Sequence, residues 1–408
     1  MGRAVWVKAT EMENTEFAAF RDRLSRPLDV RLSEFQRNER LKHLIFAAQL
    51  TPAMLEKLRR LADMIRHMSR TREGNLKMKG LLAHRRAMLY FTQPSTRTFL
   101  SFMAACQILG ITCNEVRDPS TSSEAKRESK MDSIRMFSSY FDVIIMRTVI
   151  PIFSECCAYL MNQLETQDKR SVPVINAGAG ADEHPTQALL DMYTILRTFS
   201  QDYSRESKQS RFMELQSQYS GLTPGAGNKT YLFCGDMGRG RTVRSLATVL
   251  TQYPDVRFFF VSPDHAALRM DSGMLDRFRE LGVETHEFDS LDATHEGKPI
   301  LEQTDCLYMT RIQREHNSPE IEEQMAQLDL APFQLTVKRA GVLKSYAPIL
   351  HPFPRDSVVN EIPVEVDSDP RAMYFRQARN GMWIRAALLV HLFDAAEELM
   401  EVYAGFRG

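Results

Sequence analysis

The chain has 408 residues, 43% hydrophobic and 25% charged, and its 52 Lys plus Arg balance its 52 Asp plus Glu. These values exclude the disordered and membrane-embedded classes and, with no basic block in the sequence, a general affinity for nucleic acid or anionic lipid, so any anion site must be local. The length exceeds that at which one hydrophobic core stops growing, which predicts two domains.

The six cysteines, Cys106, Cys113, Cys156, Cys157, Cys234 and Cys306, sit mostly in apolar surroundings. They form no C-x-x-C pair and no His spacing typical of zinc, which predicts a reducing compartment and no metal. The opening stretch MGRAVWVKATEMENTEF lacks the apolar run of a signal peptide, and its early acids argue against a transit peptide. Trp6 breaks the myristoylation pattern. The expected location is the cytoplasm.

Residues 1–40 are charge-mixed with weak periodicity and read as an appended arm without an assignable role. In LTPAMLEKLRRLADMIRHM, Leu55, Leu58, Leu61, Ile65 and Met68 recur at helical spacing, with Thr51 as N-cap and Pro52 at the first helical position. AMLYF then reads as a buried strand, PSTRT as a polar turn and LSFMAACQILG as a helix closed by Gly110. The same alternation recurs in DVIIMRT and the segment after it, in VPVINAG before HPTQALLDMYTILRTF, and in TYLFCGD before RTVRSLATVL. Repeated strand and helix alternation predicts parallel sheets flanked by helices. The polar stretch between Phe199 and Lys229 reads as an insertion between domains, VRFFFVS and DCLYMT as further strands, and YFRQARNGMWIRAALLVHLFDAAEELMEVY as a helical terminus.

Ser95, Thr96, Arg97 and Thr98 lie where such a sheet binds ligands, beyond a strand end and at a helix start. Their hydroxyls, the following backbone amides and a guanidinium that can grip two oxygens at once suit a phosphate dianion. An N-cap with a surface Arg accounts for Ser95 or Thr98 alone but not for all four. His184 opens a helix before Pro185, with Gln187 one turn on; imidazole can polarise a carbonyl while the amide reads an NH₂, and a plain helix cap is the alternative. FCGDMGRGRTVRSL invites a dinucleotide reading, with Asp264 after the next strand, but Gly235, Gly238 and Gly240 do not make G-x-G-x-x-G. What remains at that helix start is Arg241 and Thr242, suited to a carboxylate. YMTRIQREH places Arg311 and Gln313 on one side if the strand persists and just beyond it otherwise, while Arg314, Glu315 and His316 equally suit a solvated charge run. Ser122 and Lys126 by themselves suit an exposed helix start. In ILHPFPRD, Pro352 and Phe353 either offer carbonyl oxygens to a ligand amine or form a rigid turn.

Taken in order, PSTRT, HPTQALLD, GRTVRSL, YMTRIQRE and HPFPR resemble the aspartate/ornithine carbamoyltransferase family, and within it the aspartate carbamoyltransferase catalytic chains, from Leu41 onward. The resemblance implies an α/β fold of two domains, each a parallel β-sheet flanked by helices, with the C-terminal helix packing back on the first. The expected boundaries are an extension at 1–40, a carbamoyl phosphate domain at 41–196 completed by 373–408, and an aspartate domain at 197–372. It further implies that Ser95, Thr96, Arg97, Thr98 and Arg147 hold the phosphate, that Thr98, Arg147 and His184 contact the carbamoyl oxygen, and that Gln187 with the Pro352 and Phe353 carbonyls positions the nitrogen. Arg241, Arg311 and Gln313 would grip the aspartate carboxylates, and Ser122 and Lys126 would reach the site of a neighbouring subunit. Arg97, Thr98, Lys126, Arg147 and His184 are thus the expected catalytic set.

The implied reaction makes N-carbamoyl-L-aspartate and phosphate, in de novo pyrimidine synthesis, with no metal or organic cofactor. The implied partners are carbamoyl phosphate and L-aspartate in a homotrimer or larger assembly, with no nucleic acid and no membrane, and the length leaves no room for the further enzymes fused to some relatives. His351-Pro352-Phe353-Pro354, where ornithine-specific relatives carry His-Cys-Leu-Pro, and two arginines for a dicarboxylate favour aspartate. Arg127 stands where the family usually has Gly, Phe99 where it has Arg, and Thr148 and Arg244 where it has His. The rival readings are a carbamoyltransferase for another amine and a silent scaffold or regulatory homologue.

Overall fold

The computed structural model describes residues 15–38, 40–118, 128–180, 183–201, 211–313, 323 and 327–407. Contacts divide the chain into two compact units, one of Met1–Leu190 with Arg379–Gly408 and one of Asp191–Ala378. The chain leaves the first unit within the helix Pro185–Thr198 and returns within the helix Tyr374–Leu392.

In the first unit, Gln36–Arg37 (β1) and Arg40–Leu41 (β2) make a short antiparallel ladder. The main sheet comprises Arg86–Phe91 (β3), Thr112–Val116 (β4), Val143–Arg147 (β5) and Val174–Asn176 (β6), all parallel in the order β4-β3-β5-β6. The central strands are apolar almost without interruption, as expected of a parallel sheet covered on both faces. β4 is different: TCNEV lies at the edge, mostly exposed, and its polar side chains hide it from a search for apolar runs. Thr51 caps the helix Pro52–Met68 by accepting from Met54 N, and Gly110 closes the helix Thr96–Leu109.

The segment read as an appended arm is part of this unit's core. Phe17, Phe20, Leu24 and Phe35 are buried with Tyr90, Phe153 and Tyr159. Arg31 is buried among them, its Nε donating to Glu155 Oε1 at 2.7 Å while Tyr159 donates to the same oxygen at 3.1 Å. Burial pushes the Glu155 carboxyl up, and the Arg31 guanidinium and the Tyr159 hydroxyl pull against it.

The second unit's sheet comprises Lys229–Cys234 (β7), Val256–Val261 (β8), Glu284–Phe288 (β9), Cys306–Met309 (β12) and Ile349–Leu350 (β13), parallel throughout in the order β13-β12-β7-β8-β9. Between β9 and β12 a hairpin of Thr294–His295 (β10) and Lys298–Pro299 (β11) stands apart from the sheet. The polar edge strand β9 escapes an apolar-run reading for the same reason as β4, and β13, apolar and buried, escapes it because it is only two residues long. At the C-terminus the helices Tyr374–Leu392 and Ala396–Arg407 replace the single helical terminus expected, and the second packs in the first unit, where His67 Nδ1 meets Tyr403 Oη at 3.0 Å and Lys77 lies over Phe406. Among the described residues no helix is long and apolar enough to cross a membrane. All six cysteines are free thiols, five of them buried.

Two buried histidines of the first unit accept backbone amides. His43 Nδ1 accepts from Val174 N at 2.9 Å with Asn162 Oδ1 at 3.2 Å from its Nε2, and His391 Nε2 accepts from Leu41 N at 3.2 Å. Burial lowers the His43 ring to about 3, helped by Lys42, and the His391 ring to about 4, helped by Lys57 and Arg40. Both folded values lie below the unfolded value of about 6.5, so the unfolded chain takes up protons first as pH falls. The stability contributed by the neutral rings is therefore complete above about pH 6.5 and is lost on acidification, by about 1.4 kcal/mol per pH unit for each ring. Urea midpoints measured near pH 7 and near pH 5.5 are expected to fall accordingly, and His391→Gln should roughly halve the drop; identical midpoints at both pH values would contradict the assignment.

Candidate active site

Both sheets place their chemistry where the strand order reverses. In the first unit the chain winds from β3 outward to β4 and then resumes on the other side of β3 with β5, so the loops after β3 and β5 part and leave a crevice at their carboxyl ends. Phe91 at the end of β3 pairs with Arg147 at the end of β5. Ser95 to Thr98 follow β3 and Arg147 closes β5, so these residues share one crevice.

Ser95 is the N-cap of the helix Thr96–Leu109 in extended backbone, and its side chain makes no capping bond. Thr96 and Arg97 are exposed and Thr98 is buried, so the first turn offers hydroxyls, amides and a guanidinium on two levels. The helix dipole adds partial positive charge there. Phe99, in the place of the family's Arg, is buried edge-on against Phe91 with Arg117 over its ring at 4.8 Å.

The loop after β6 brings His184 to the same strand ends. Asn176 Oδ1 accepts from Gly178 N and Ala179 N at 2.9 and 2.8 Å, which curls the loop back. Gly178 has φ +97°, and a Cβ there would stand 2.7 Å from Arg147 Nη1 and 2.8 Å from His184 Cδ2; only glycine permits the two side chains to close up. His184 is a helix cap that also meets Arg147. Its Nδ1 accepts from Gln187 N at 3.2 Å at the start of the helix Pro185–Thr198, and its Nε2 lies 3.4 Å from Arg147 Nη1. Arg147 Nη1 also donates to Ala177 O at 3.3 Å, so a guanidinium and an imidazole stand together at this strand end. Gln187 is buried on the first turn of that helix. Thr148, where the family has His, folds its hydroxyl onto Ile150 in the next turn.

In the second unit the winding runs from β7 through β8 to β9 and resumes on the far side of β7 with β12, which puts the reversal between β7 and β12. Arg241 opens the helix Arg241–Leu250 after β7, and Arg311 and Gln313 follow β12, which ends at Met309. The strand does not persist, so these two lie just beyond it. Gly235, at φ +122°, lets the two loops touch, since a Cβ would fall 2.1 Å from Thr310 O. Arg244, where the family has His, donates to Gly238 O at 2.7 Å and stiffens the turn before Arg241.

The junction itself is made by Asp236. It is fully buried, accepts from Arg239 N and Nε at 2.9 and 3.0 Å and from Gln313 N at 3.1 Å, and its own N–H donates to Thr310 Oγ1 at 3.1 Å. Burial pushes this carboxyl up, and the Arg239 and Gln313 donors pull against it. Asp236 escaped the sequence reading, in which the acid weighed was Asp264. The available signal was an acid placed between a buried strand and a glycine-rich turn, where a carboxylate must find donors or pay a large desolvation penalty.

Pro352 and Phe353 lie in the second unit, on the loop after β13. Phe353 takes φ +57°, an uncommon conformation for a bulky residue, and is held in it: Phe353 N donates to His351 Nδ1 at 2.8 Å, and His351 Nε2 meets Glu361 Oε1 at 2.9 Å. His351 N donates to Gln377 Oε1, Gln377 donates to Asp191 Oδ1 at 2.6 Å, and Tyr308 donates to Asp191 Oδ2 at 2.8 Å. A buried polar chain thus ties this loop to β12. Ser122, Lys126 and Arg127, and likewise Arg314, Glu315 and His316, lie outside the described residues.

Residues 42–197 match the carbamoyl-P binding domain of the aspartate/ornithine carbamoyltransferases, and residues 227–392 match their Asp/Orn binding domain. The chain is 36% identical over 335 residues to the aspartate carbamoyltransferase catalytic subunit of Chromobacterium violaceum, covering 82% of this chain and 93% of that protein. It is 35% identical over 337 residues to the chloroplastic aspartate carbamoyltransferase of Arabidopsis thaliana, covering 82% and 74%. Among solved structures it is similar to the aspartate transcarbamoylase of Trypanosoma cruzi in complex with carbamoyl phosphate and aspartate, with a TM-score of 0.67, 30% identity and coverage of 85% of this chain and 95% of that one. The chain belongs to the aspartate/ornithine carbamoyltransferase family, among its aspartate carbamoyltransferases.

Proposed function

We propose that the first unit's crevice binds carbamoyl phosphate and activates its carbonyl, while the second unit's crevice grips the carboxylates of L-aspartate. The observation that carries this division is the contact of Arg147 Nη1 with His184 Nε2 at 3.4 Å, on the strand next to the one that leads into the helix start at Ser95 to Thr98. Ser95, Thr96, Arg97, Thr98 and Arg147 hold the phosphate. Arg147, His184 and Thr98 donate toward the carbamoyl oxygen, and Gln187 reads the nitrogen end. Arg241, Arg311 and Gln313 bind the acceptor, with their loops locked together by Asp236.

In the reaction, the neutral α-amine of aspartate attacks the carbamoyl carbon and forms the C–N bond. Negative charge grows on the carbonyl oxygen, where Arg147 and His184 stabilise it without reorganising. The bond from that carbon to the bridging phosphate oxygen then breaks, and the proton lost from nitrogen leaves with phosphate. The protein's contributions are orientation and charge stabilisation.

The product, a carbamoylated aspartate, fits a role in de novo pyrimidine synthesis, with the cytoplasm as the expected location. Ser122 and Lys126 act on a neighbouring copy in a homotrimer, which closed-ring symmetry allows.

The purified chain with carbamoyl phosphate is expected to form ureido product with L-aspartate and none with L-ornithine; product with ornithine would sink the acceptor assignment, and silence with both would favour a scaffold role. Arg97→Ala should lose roughly ten- to hundredfold in kcat/KM, the cost of one charged hydrogen bond or more, with an unchanged melting curve. Asp236→Ala should raise the KM for aspartate by roughly tenfold and leave that for carbamoyl phosphate alone, with Asp236→Asn in between; an equal rise in both constants would remove Asp236 from the acceptor side. Lys126→Ala and Arg311→Ala chains, each inactive, should regain activity when mixed and reassembled. No recovery in verified mixed trimers would argue against a shared site.

A further inference from the structure

The histidine spacing in the sequence suggests no metal, yet the fold gathers three ligand-type side chains that the carbamoyl transfer does not use. Glu284 and His286 project from the same face of the edge strand β9, two residues apart, and His295 reaches them from the β10–β11 hairpin. One ligand atom from each lies within 4.8 Å of the others. His286 Nε2 is 2.7 Å and His295 Nε2 is 3.9 Å from Glu284 Oε1. Tetrahedral ligands at zinc's usual bond lengths stand about 3.3 Å apart, so these separations bracket what a bound ion needs.

The geometry is held from outside the cluster. The hairpin turns through Glu296 and Gly297, both at positive φ (+51° and +76°), a tight turn that fixes His295 relative to β11. The ring of His295 packs on Phe259 and Phe288 and lies 4.1 Å from the His286 ring, centroid to centroid. Its Nε2 is buried and, among the described residues, has no hydrogen-bond partner. A lone hydrogen-bonded His–Glu pair explains His286 but leaves that nitrogen without purpose. Glu296 Oε1, 4.0 Å from the same nitrogen, is a fourth donor within reach. Arg257, which pairs with Glu284 Oε1 at 3.8 Å through Nη1, is held away by donating to Thr230 Oγ1 through Nε and Nη2.

We propose that Glu284, His286 and His295 bind one divalent transition-metal ion of the zinc type, which bolts the β10–β11 hairpin to the sheet edge. Two imidazoles and a carboxylate suit Zn²⁺, Co²⁺, Ni²⁺ or Cu²⁺ and disfavour Mg²⁺ and Ca²⁺, which take oxygen ligands. The ion is structural. Glu284 begins β9, whereas Arg241 and Arg311 follow the opposite, carboxyl ends of the parallel strands.

The test is titration of the chelator-stripped full-length chain with Zn²⁺ alone by calorimetry, in a phosphate-free buffer, with Co²⁺ absorption as a probe of coordination. One site per chain is expected, with a raised melting temperature and the visible bands of a nitrogen- and oxygen-ligated Co²⁺ ion. His286→Ala and the conservative His295→Gln should each weaken uptake by at least about tenfold, since disturbing even an outer-shell partner costs that much. Metal-free circular dichroism should be unchanged in both. Absence of uptake by the unaltered chain, or undiminished uptake by the two variants, would overturn the proposal.

Discussion

A parallel sheet cannot be closed by hairpins, and this one constraint shapes both halves of the molecule. Every connection must cross over a face, and wherever the winding direction reverses, two neighbouring strands send their following loops to opposite faces. In the first unit the reversal falls between β3 and β5 and in the second between β7 and β12. Each gap receives helix N-termini and backbone amides, which attract anions before any side chain is chosen. A phosphate and a pair of carboxylates are what such gaps are suited to hold. The side chains then differentiate them: hydroxyls, a guanidinium and an imidazole in one, arginines and a glutamine in the other.

What turns a gap into a site is the anchoring of loops that share no local sequence. Asn176 curls the loop that carries His184, Gly178 makes room for its contact with Arg147, and Asp236 ties the turn before Arg241 to the backbone of Gln313, 77 residues away. The His351, Gln377, Asp191 and Tyr308 chain does the same for the loop carrying Phe353 in its left-handed conformation. These are buried polar groups, costly unless every partner is present, and in return they leave the loops few alternative arrangements.

That distinction explains what could be read from the sequence. The central strands were legible because burial on both faces demands unbroken apolar runs, as in VIIM and LFC; the edge strands β4 and β9 were not, because half their surface faces water and TCNEV and ETHEF look like loops. The helix starts at PSTRT and after His184 were legible because their signals are contiguous. Asp236 and Asn176 were not, since their partners are fixed only once strands are neighbours. The first forty residues misled in the other direction: Phe17, Phe20 and Phe35 are too irregularly spaced to announce a helix face, yet all are buried against Tyr159 and its surroundings. His286 and His295 come together only through strand pleat and a hairpin, so no ligand spacing betrays them.

His184 shows how one side chain serves two structural ends. Its Nδ1 accepts the Gln187 amide at the start of the helix Pro185–Thr198, which satisfies one of the amides that a helix start leaves open. Its Nε2 is 3.4 Å from Arg147 Nη1, which also donates to Ala177 O at 3.3 Å. The cap fixes the ring, and the ring with the Ala177 carbonyl holds the guanidinium at the end of β5. Under the function proposed above, a local device for satisfying a helix amide also positions the cation that meets the substrate's developing charge.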